Sequence, residues 1–391
     1  MTASGGAAEG PISGPVLGTL RTKLANEEKA QLRAVARASR WELRRGLWKI
    51  TKLRRLARCG RFLTGEYTRV AKKDGTAYFL DVQTCGSVWS CPVCAAKIRQ
   101  RRAVEIESAC VQHLGAGGSI GFLTLTFPHS RGDDLANMLA TLTLCWKDVQ
   151  QGILKSGRAR AKALGLFGFI RSTEITYGRW NGWHPHLHVL IFANRAVSES
   201  EWEELRDAIS ASWTAAVLKR GRERPGEVVG VTLGPVRKAE VGKYLAKVQD
   251  HYGHESTLGL EMARGDVKKG RLKSRTPFEL AEEAVQGVAF EIGLWHDYES
   301  ATYRRRAIEW SRGLKAGFDI EEVEDEELAL ADVDGDVFIP AVTKAQYALL
   351  VGSKAECTFL ELGEAGGGVA AHEFLLRLQN ERDREEEQRN E

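Results

Sequence analysis

The chain has 391 residues, 43% of them hydrophobic, which provides for a sizeable core and speaks against global disorder. Its formal net charge is only +4, yet residues 1–110 carry 21 Lys and Arg against 9 Asp and Glu, while residues 321–391 carry 6 against 19. That asymmetry suggests a nucleic-acid-facing front and an acidic back, the bland alternative being solvated basic helix faces. No run of 18 apolar residues and no signal-peptide pattern occurs, so no membrane association is expected and the expected compartment is the cytoplasm.

Taken in order, residues 1–19 read as a disordered lead and residues 20 to about 56 as helix. Residues 59–96 look turn-rich and hold four cysteines, and a helix is expected over about 97–113. After the Gly115–Gly118 breaker, GFLTLTFP (121–128) alternates as a strand, with Phe122, Thr124 and Thr126 on one face and Leu123 and Leu125 on the other. A helix over about 133–163 is followed by two strands, 167–177 and 184–193, joined by a hairpin-sized GRWNG turn. Ser198 and Glu201 form a capping box for a helix to about Lys219, then come a strand at 228–236 and a short helix at 238–250.

The predicted fold class is α+β, a central antiparallel sheet in β-α-β-β-α-β-α order. A basic, Cys-rich, mainly helical zinc subdomain (20–114) precedes the sheet domain (115–255). A helical extension (256–320) and an acidic segment (321–391) follow it, the latter opening with the linker EEVEDEE and ending in a tail expected to fray beyond residue 380.

The most specific signal is His184-Pro185-His186-Leu187-His188. Side chains alternate along a strand, so the three imidazoles share one face and leave Leu187 and Val189 to the core. Imidazoles at that period can share a divalent ion, the alternative being a polar strand surface. If the turn spans Gly178–Gly182, Tyr177 pairs with Trp183 and Glu174 falls opposite His186, where its carboxylate supplies an oxygen ligand. A one-residue slip would turn Glu174 to the other face. On the following helix, Glu240, Tyr244 and Lys247 lie in one neighbourhood at i, i+4 and i+7. A phenol assisted by a cation can attack a phosphodiester, although a tyrosine on an amphipathic helix is more often packing.

FLTLTFP (122–128), HPHLHVLIF (184–192) and EVGKYLAK (240–247), in that order, resemble the ordered motifs of rolling-circle replication initiators of the HUH endonuclease superfamily. The single-tyrosine plasmid branch of small actinobacterial plasmids is the most similar, and stretches 84–106, 274–281 and 294–314 extend the resemblance over roughly 50–315. The resemblance implies a site-specific single-strand endonuclease and strand transferase. His186 and His188 match its metal pair, Tyr244 its nucleophile and Glu240 its base for a terminating water. Glu174 fits the third ligand; His184 is a ligand in some members and not in others. The implied cofactor is Mg²⁺ or Mn²⁺, and the implied partners are plasmid origin DNA with a single-stranded nick site, a host helicase and a host polymerase.

Cys91-Pro-Val-Cys94, with Cys85 and Cys59 before it, suggests a structural zinc site. His113 is an alternative to Cys59, and a redox CxxC is the alternative to zinc. Cys110, Cys145 and Cys357 read as buried hydrophobes. Arg54, Arg55, Arg58, Arg61, Lys97, Arg99, Arg101 and Arg102 around the cluster suit phosphate contacts. The competing functional readings are a conjugative relaxase, an HUH transposase and a non-catalytic zinc-finger regulator. Relaxases place the tyrosine before the histidines, small transposases lack the Cys-rich front, and a regulator does not account for the histidine strand.

Overall fold

The computed structural model describes residues 16–73, 75–155, 158–227, 229–236, 274–330 and 335–390. Helix α1 (Val16–Ile50) and the short α2 (Arg54–Arg58) lead into the stretch expected to be turn-rich. That stretch holds a hairpin, β1 (Tyr67–Lys73) and β2 (Thr76–Phe79), before α3 (Pro92–Gly115). Helix α3 starts earlier than the charge pattern suggests, because Cys91 caps it and Pro92 sits at its first turn, where a missing N–H costs nothing.

The main sheet begins with β3 (Ser119–Leu125). The single helix expected over 133–163 is instead α4 (Leu135–Val149), a π turn (Gln150–Leu154) and α5 (Ala159–Leu164), the regular helix giving way around Gly152. Strands β4 (Leu166–Gly178) and β5 (Gly182–Ala193) form the long hairpin. Helix α6 (Glu199–Lys219) opens with the Ser198/Glu201 capping box and is followed by β6 (Val231–Pro235). The order β6-β3-β5-β4-β7 is antiparallel throughout. The stretch expected to be a helical extension supplies two strands to the outer edge of β4, β7 (Ser274–Arg275) and β8 (Ile308–Trp310), beside helices Pro277–Ala284 and Ala289–Thr302. The helix expected at 238–250 lies outside the described residues.

Alternation decides what each sheet face meets. Leu123, Leu125, Leu187 and Val189 pack against Met138, Leu142 and Trp146 of α4 and Leu205, Ile209 and Trp213 of α6. The Trp213 indole N–H also donates to the Thr126 carbonyl at 2.8 Å, pinning α6 to the end of β3. On the other face, Ile120, Ile170, Leu190 and Phe192 are covered by Ala103, Ile106 and Cys110 of α3. Helix α3 covers one end of that face, and the histidines lie toward the other.

The acidic C-terminal segment folds back on the basic front. Strand β9 (Asp336–Thr343) pairs with β1, and helices Lys344–Gly352 and Glu356–Asn390 pack behind the small sheet through Tyr347, Phe359 and Leu360. Arg37 pairs with Glu364 at 2.6 Å and Arg45 with Glu356 at 3.0 Å. The EEVEDEE stretch contributes Asp325, 2.8 Å from Arg102, and Leu328 just after it is buried in the core. The charge asymmetry is therefore partly spent inside the molecule. The tail expected to fray continues as the exposed end of the last helix.

Candidate metal centres and nucleic-acid surface

The β4–β5 hairpin pairs Gly178 with Gly182, Tyr177 with Trp183 and Glu174 with His186, the register that a Gly178–Gly182 turn requires. Glu174 Oε2 lies 3.0 Å from His188 Nε2 and 3.3 Å from His186 Nε2, and the two imidazole nitrogens are 3.1 Å apart. Adjacent donors on a six-coordinate ion with bonds of about 2.1 Å lie about 3.0 Å apart, so the three atoms fit one triangular face of such an ion. One carboxylate and two imidazoles are compatible with a divalent metal ion.

The neighbours orient this trio. Thr124 faces His188 across β3–β5, and its hydroxyl accepts from His188 Nδ1–H at 3.1 Å in the tautomer that leaves Nε2 a lone pair. The Phe122 ring stacks on His188 at 5.3 Å and 14°, fixing the imidazole plane. Sequence reasoning placed Phe122 and Thr124 on one strand face without a role; the cross-strand register supplies it.

His184 stands apart from the trio, which comprises Glu174, His186 and His188. Its Nδ1 is 2.6 Å from Nε2 of His129, a residue the sequence reading passed over, in the loop after β3. His129 Nδ1 donates to the Asn181 carbonyl at 3.0 Å, so in the neutral pair His184 donates to His129. Burial, with the His186 and His129 imidazoles nearby, pushes the His184 pKa down to about 4. The ring therefore stays neutral at physiological pH.

Cys59, Cys85, Cys91 and Cys94 converge although 26 positions separate the first two. The β1–β2 hairpin closes that separation: Gly60 N–H donates to Gln83 O at 2.7 Å, and Leu63 bridges to Val82. Cys59 Sγ lies 3.7 Å from Cys91 Sγ and 3.6 Å from Cys94 Sγ, and Cys85 Sγ lies 3.7 Å from Cys94 Sγ. Four thiolates around zinc at about 2.3 Å are about 3.8 Å apart, so the residues fit a tetrahedral ion. His113 is no substitute for Cys59, since its Nε2 is 2.8 Å from the Ala193 carbonyl at the far end of α3. Cys110, Cys145 and Cys357 are buried, and desolvation pushes the last two thiols up to about 11.

The basic residues expected to meet phosphate divide into two groups. Arg99 is buried, donating to the Val88 carbonyl and lying over Trp89, and Arg102 is engaged by Glu105 and Asp325. Lys97 is desolvated beside Cys94, and burial lowers its pKa. Arg54, Arg55, Arg58 and Arg61 are exposed and Arg101 is half-buried. Tyr244, Glu240 and Lys247 lie outside the described residues.

The chain is an α+β protein with antiparallel sheets and a helical C-terminus, and it carries two groups of side chains that could each hold a metal ion, one carboxylate with two imidazoles and one of four thiols. A family model described as "Replication protein" matches residues 79–347. The chain belongs to that family, in keeping with its resemblance to plasmid Rep initiators. It is 33% identical to "Protein rep" of Streptomyces lividans, over 67% of this chain and 70% of that one. It is 25% identical to "Protein rep" of Lentilactobacillus hilgardii, over 57% of this chain and 70% of that one. Against "Neomycin resistance protein" of Streptomyces cyanogenus the identity is 31%, over 30% of this chain and 32% of that one. No solved structure gives a significant match. Among the described residues, no helix is long and apolar enough to cross a membrane.

Proposed function

We propose that the protein initiates rolling-circle replication of a plasmid by nicking one strand of its origin and remaining joined to the cut 5′ phosphate. The observation that carries this reading is the convergence of Glu174, His186 and His188 donor atoms on one sheet face of a replication-family chain. The trio would hold Mg²⁺ or Mn²⁺, which would supply positive charge beside the scissile phosphate. The Tyr244 oxygen attacks phosphorus and the bond to O3′ breaks, giving a phosphotyrosine and a free 3′ hydroxyl for a host polymerase. Lys247 stabilises the Tyr244 phenolate. Glu240 takes a proton from the water that cuts the regenerated site. A host helicase opens the duplex, and the four cysteines hold zinc as a structural support. In this reading the sheet unit is the HUH endonuclease domain.

The test is to incubate the protein with labelled supercoiled origin plasmid and Mn²⁺, then denature. A covalent protein–DNA adduct and relaxed circles are expected; a regulator without catalysis gives neither. Tyr244→Phe is expected to abolish nicking with origin binding near wild type, because only the hydroxyl is lost. Mapping of the linked peptide to Tyr252 or Tyr303 would overturn the assignment. Glu240→Ala is expected to nick and form the adduct, yet to fail in releasing unit-length single-stranded circles, so that longer products accumulate. Normal termination by Glu240→Ala would reduce Glu240 to a helix carboxylate paired with Lys243 or Lys247, worth well under about 1 kcal/mol.

A further inference from the structure

We propose that the tip of the β4–β5 hairpin is a stacking platform for an unpaired DNA base, with Trp180 as the stacking ring and Arg179 and Arg131 as phosphate contacts. The proposal rests on the nicking function above and adds a place where the single strand is held near the cut. The first observation is exposure. All ten tryptophans fall within the described residues, and Trp180 alone is exposed, at 69%. An isolated exposed aliphatic residue is ordinary, but an indole exposed to this extent offers a large rigid face that a base can cover.

The second observation is that the tip is held in place. Gly182 has φ +76°, and a Cβ there would lie 2.8 Å from Arg131 Cα, so the turn is seated on the loop after β3. The His129 imidazole ties that loop to the turn through the Asn181 carbonyl and to β5 through His184. A ring on a braced turn loses little further conformational freedom when it is covered.

The third observation is charge. The Arg179 guanidinium lies 5.9 Å over the Trp180 ring, and Arg131 is exposed on the loop beneath. Among the described residues no ion pair engages either cation, and Asp133, the acid nearest Arg131 in sequence, is taken by Arg222. Cations flanking an exposed ring match a nucleotide, which has a π face and a phosphate, better than an apolar peptide. The fourth is placement. Four strand pairs separate the Glu174–His186 pair from the Gly178–Gly182 pair, about 13 Å at the usual rise, so the platform lies within a few nucleotides of a phosphate at the trio.

The experiment measures anisotropy of a short fluorescein-labelled, mixed-sequence single-stranded oligodeoxynucleotide, and of the same sequence as a duplex, with full-length protein in EDTA. Binding is thus read separately from cleavage, and loss of nicking alone would count against the proposed function and leave this reading standing. Trp180→Ala is expected to weaken single-strand binding roughly 5- to 150-fold with an unchanged salt slope, while Trp180→Phe keeps most of the affinity. Arg179→Ala and Arg131→Ala are each expected to lower the single-strand salt slope by about 0.7. An abasic substitution at one position of the oligonucleotide should remove the difference between wild type and Trp180→Ala. Unchanged single-strand affinity in Trp180→Ala, an equal loss for single strand and duplex, or a loss insensitive to every abasic position would each overturn the proposal.

Discussion

His188→Ala is expected to eliminate divalent-metal-dependent nicking, by more than about 100-fold, while the protein remains folded. The geometry gives the reason. His188 Nε2 and Glu174 Oε2 form the 3.0 Å edge of the donor triangle, and two remaining ligands of six-coordinate hard-ion chemistry compete poorly with water. Replacing an orienting partner should do less: Thr124→Val removes only the acceptor that fixes the His188 tautomer, and should cost about 10- to 100-fold. The two variants separate on Mn²⁺ titration. Raising the metal concentration should restore much of Thr124→Val and little of His188→Ala. His186→Ala should behave as His188→Ala does. Thermal melts report whether loss of the ring stacked on Phe122 has destabilised the sheet instead. Cleavage by wild type that persists in excess EDTA would overturn the metal assignment for all of these variants.

How much of this site could be read from residues alone follows from the kind of information each part needs. The histidine strand and its partner were legible because strand parity is a local rule and Gly178 to Gly182 fixes the register of everything beyond it. Thr124 and Phe122 were legible as a face but not as neighbours of His188, since that needs the β3–β5 register, set over some 65 positions. His129 carries no pattern at all; only the seating of its loop on the hairpin turn gives it a partner. The C-terminal strand β9 was hidden by its composition. Asp336 opens it and Pro340 interrupts it, and the β1–β9 register shifts between the Val70–Ile339 and Thr68–Val342 pairs, around the proline. β8 is three residues long and gains its hydrogen bonds only from the edge of β4, which a linear reading does not see.

The basic front was read as one surface because charge counts carry no direction. Arg37 and Arg45 are consumed by Glu364 and Glu356, and Arg102 by Glu105 and Asp325. Their partners lie more than 200 positions away in all cases but Glu105. Arg54, Arg55, Arg58 and Arg61 stay exposed at and just after α2, as do Lys49, Lys52, Arg69 and Lys73. Arg55 itself lies 3.8 Å from Glu326, an exposed pair that salt would loosen.

The cysteine cluster carries the largest expected effect on stability. Elemental analysis of the reduced, purified protein should give one zinc per chain, retained in the His186→Ala/His188→Ala double variant and lost in Cys91→Ser/Cys94→Ser. Because Cys59, Cys85, Cys91 and Cys94 share a continuous core with Leu47, Leu56 and Ile98, and through it with Leu123 and Trp213, the loss should not stay local. Structural zinc contributes about 10–16 kcal/mol in small finger peptides, comparable with the whole stability of an ordinary domain. Two cations make the emptied site worse. Arg44 is buried against Gly60, with Nε and one terminal nitrogen lacking a hydrogen-bond partner, and Lys97 is desolvated beside Cys94. A zinc tetrathiolate carries two net negative charges that would offset them, and four neutral thiols would remove that offset. Extracting the metal with a mercurial reagent should therefore collapse the thermal transition of the full chain, nicking activity included, whereas Cys110→Ala and Cys145→Ala should keep their zinc and lose only the packing of a small buried group. Reduced wild-type protein that contains no zinc, or whose melting is indifferent to thiol modification at the cluster, would instead favour a redox CxxC or ordinary core cysteines.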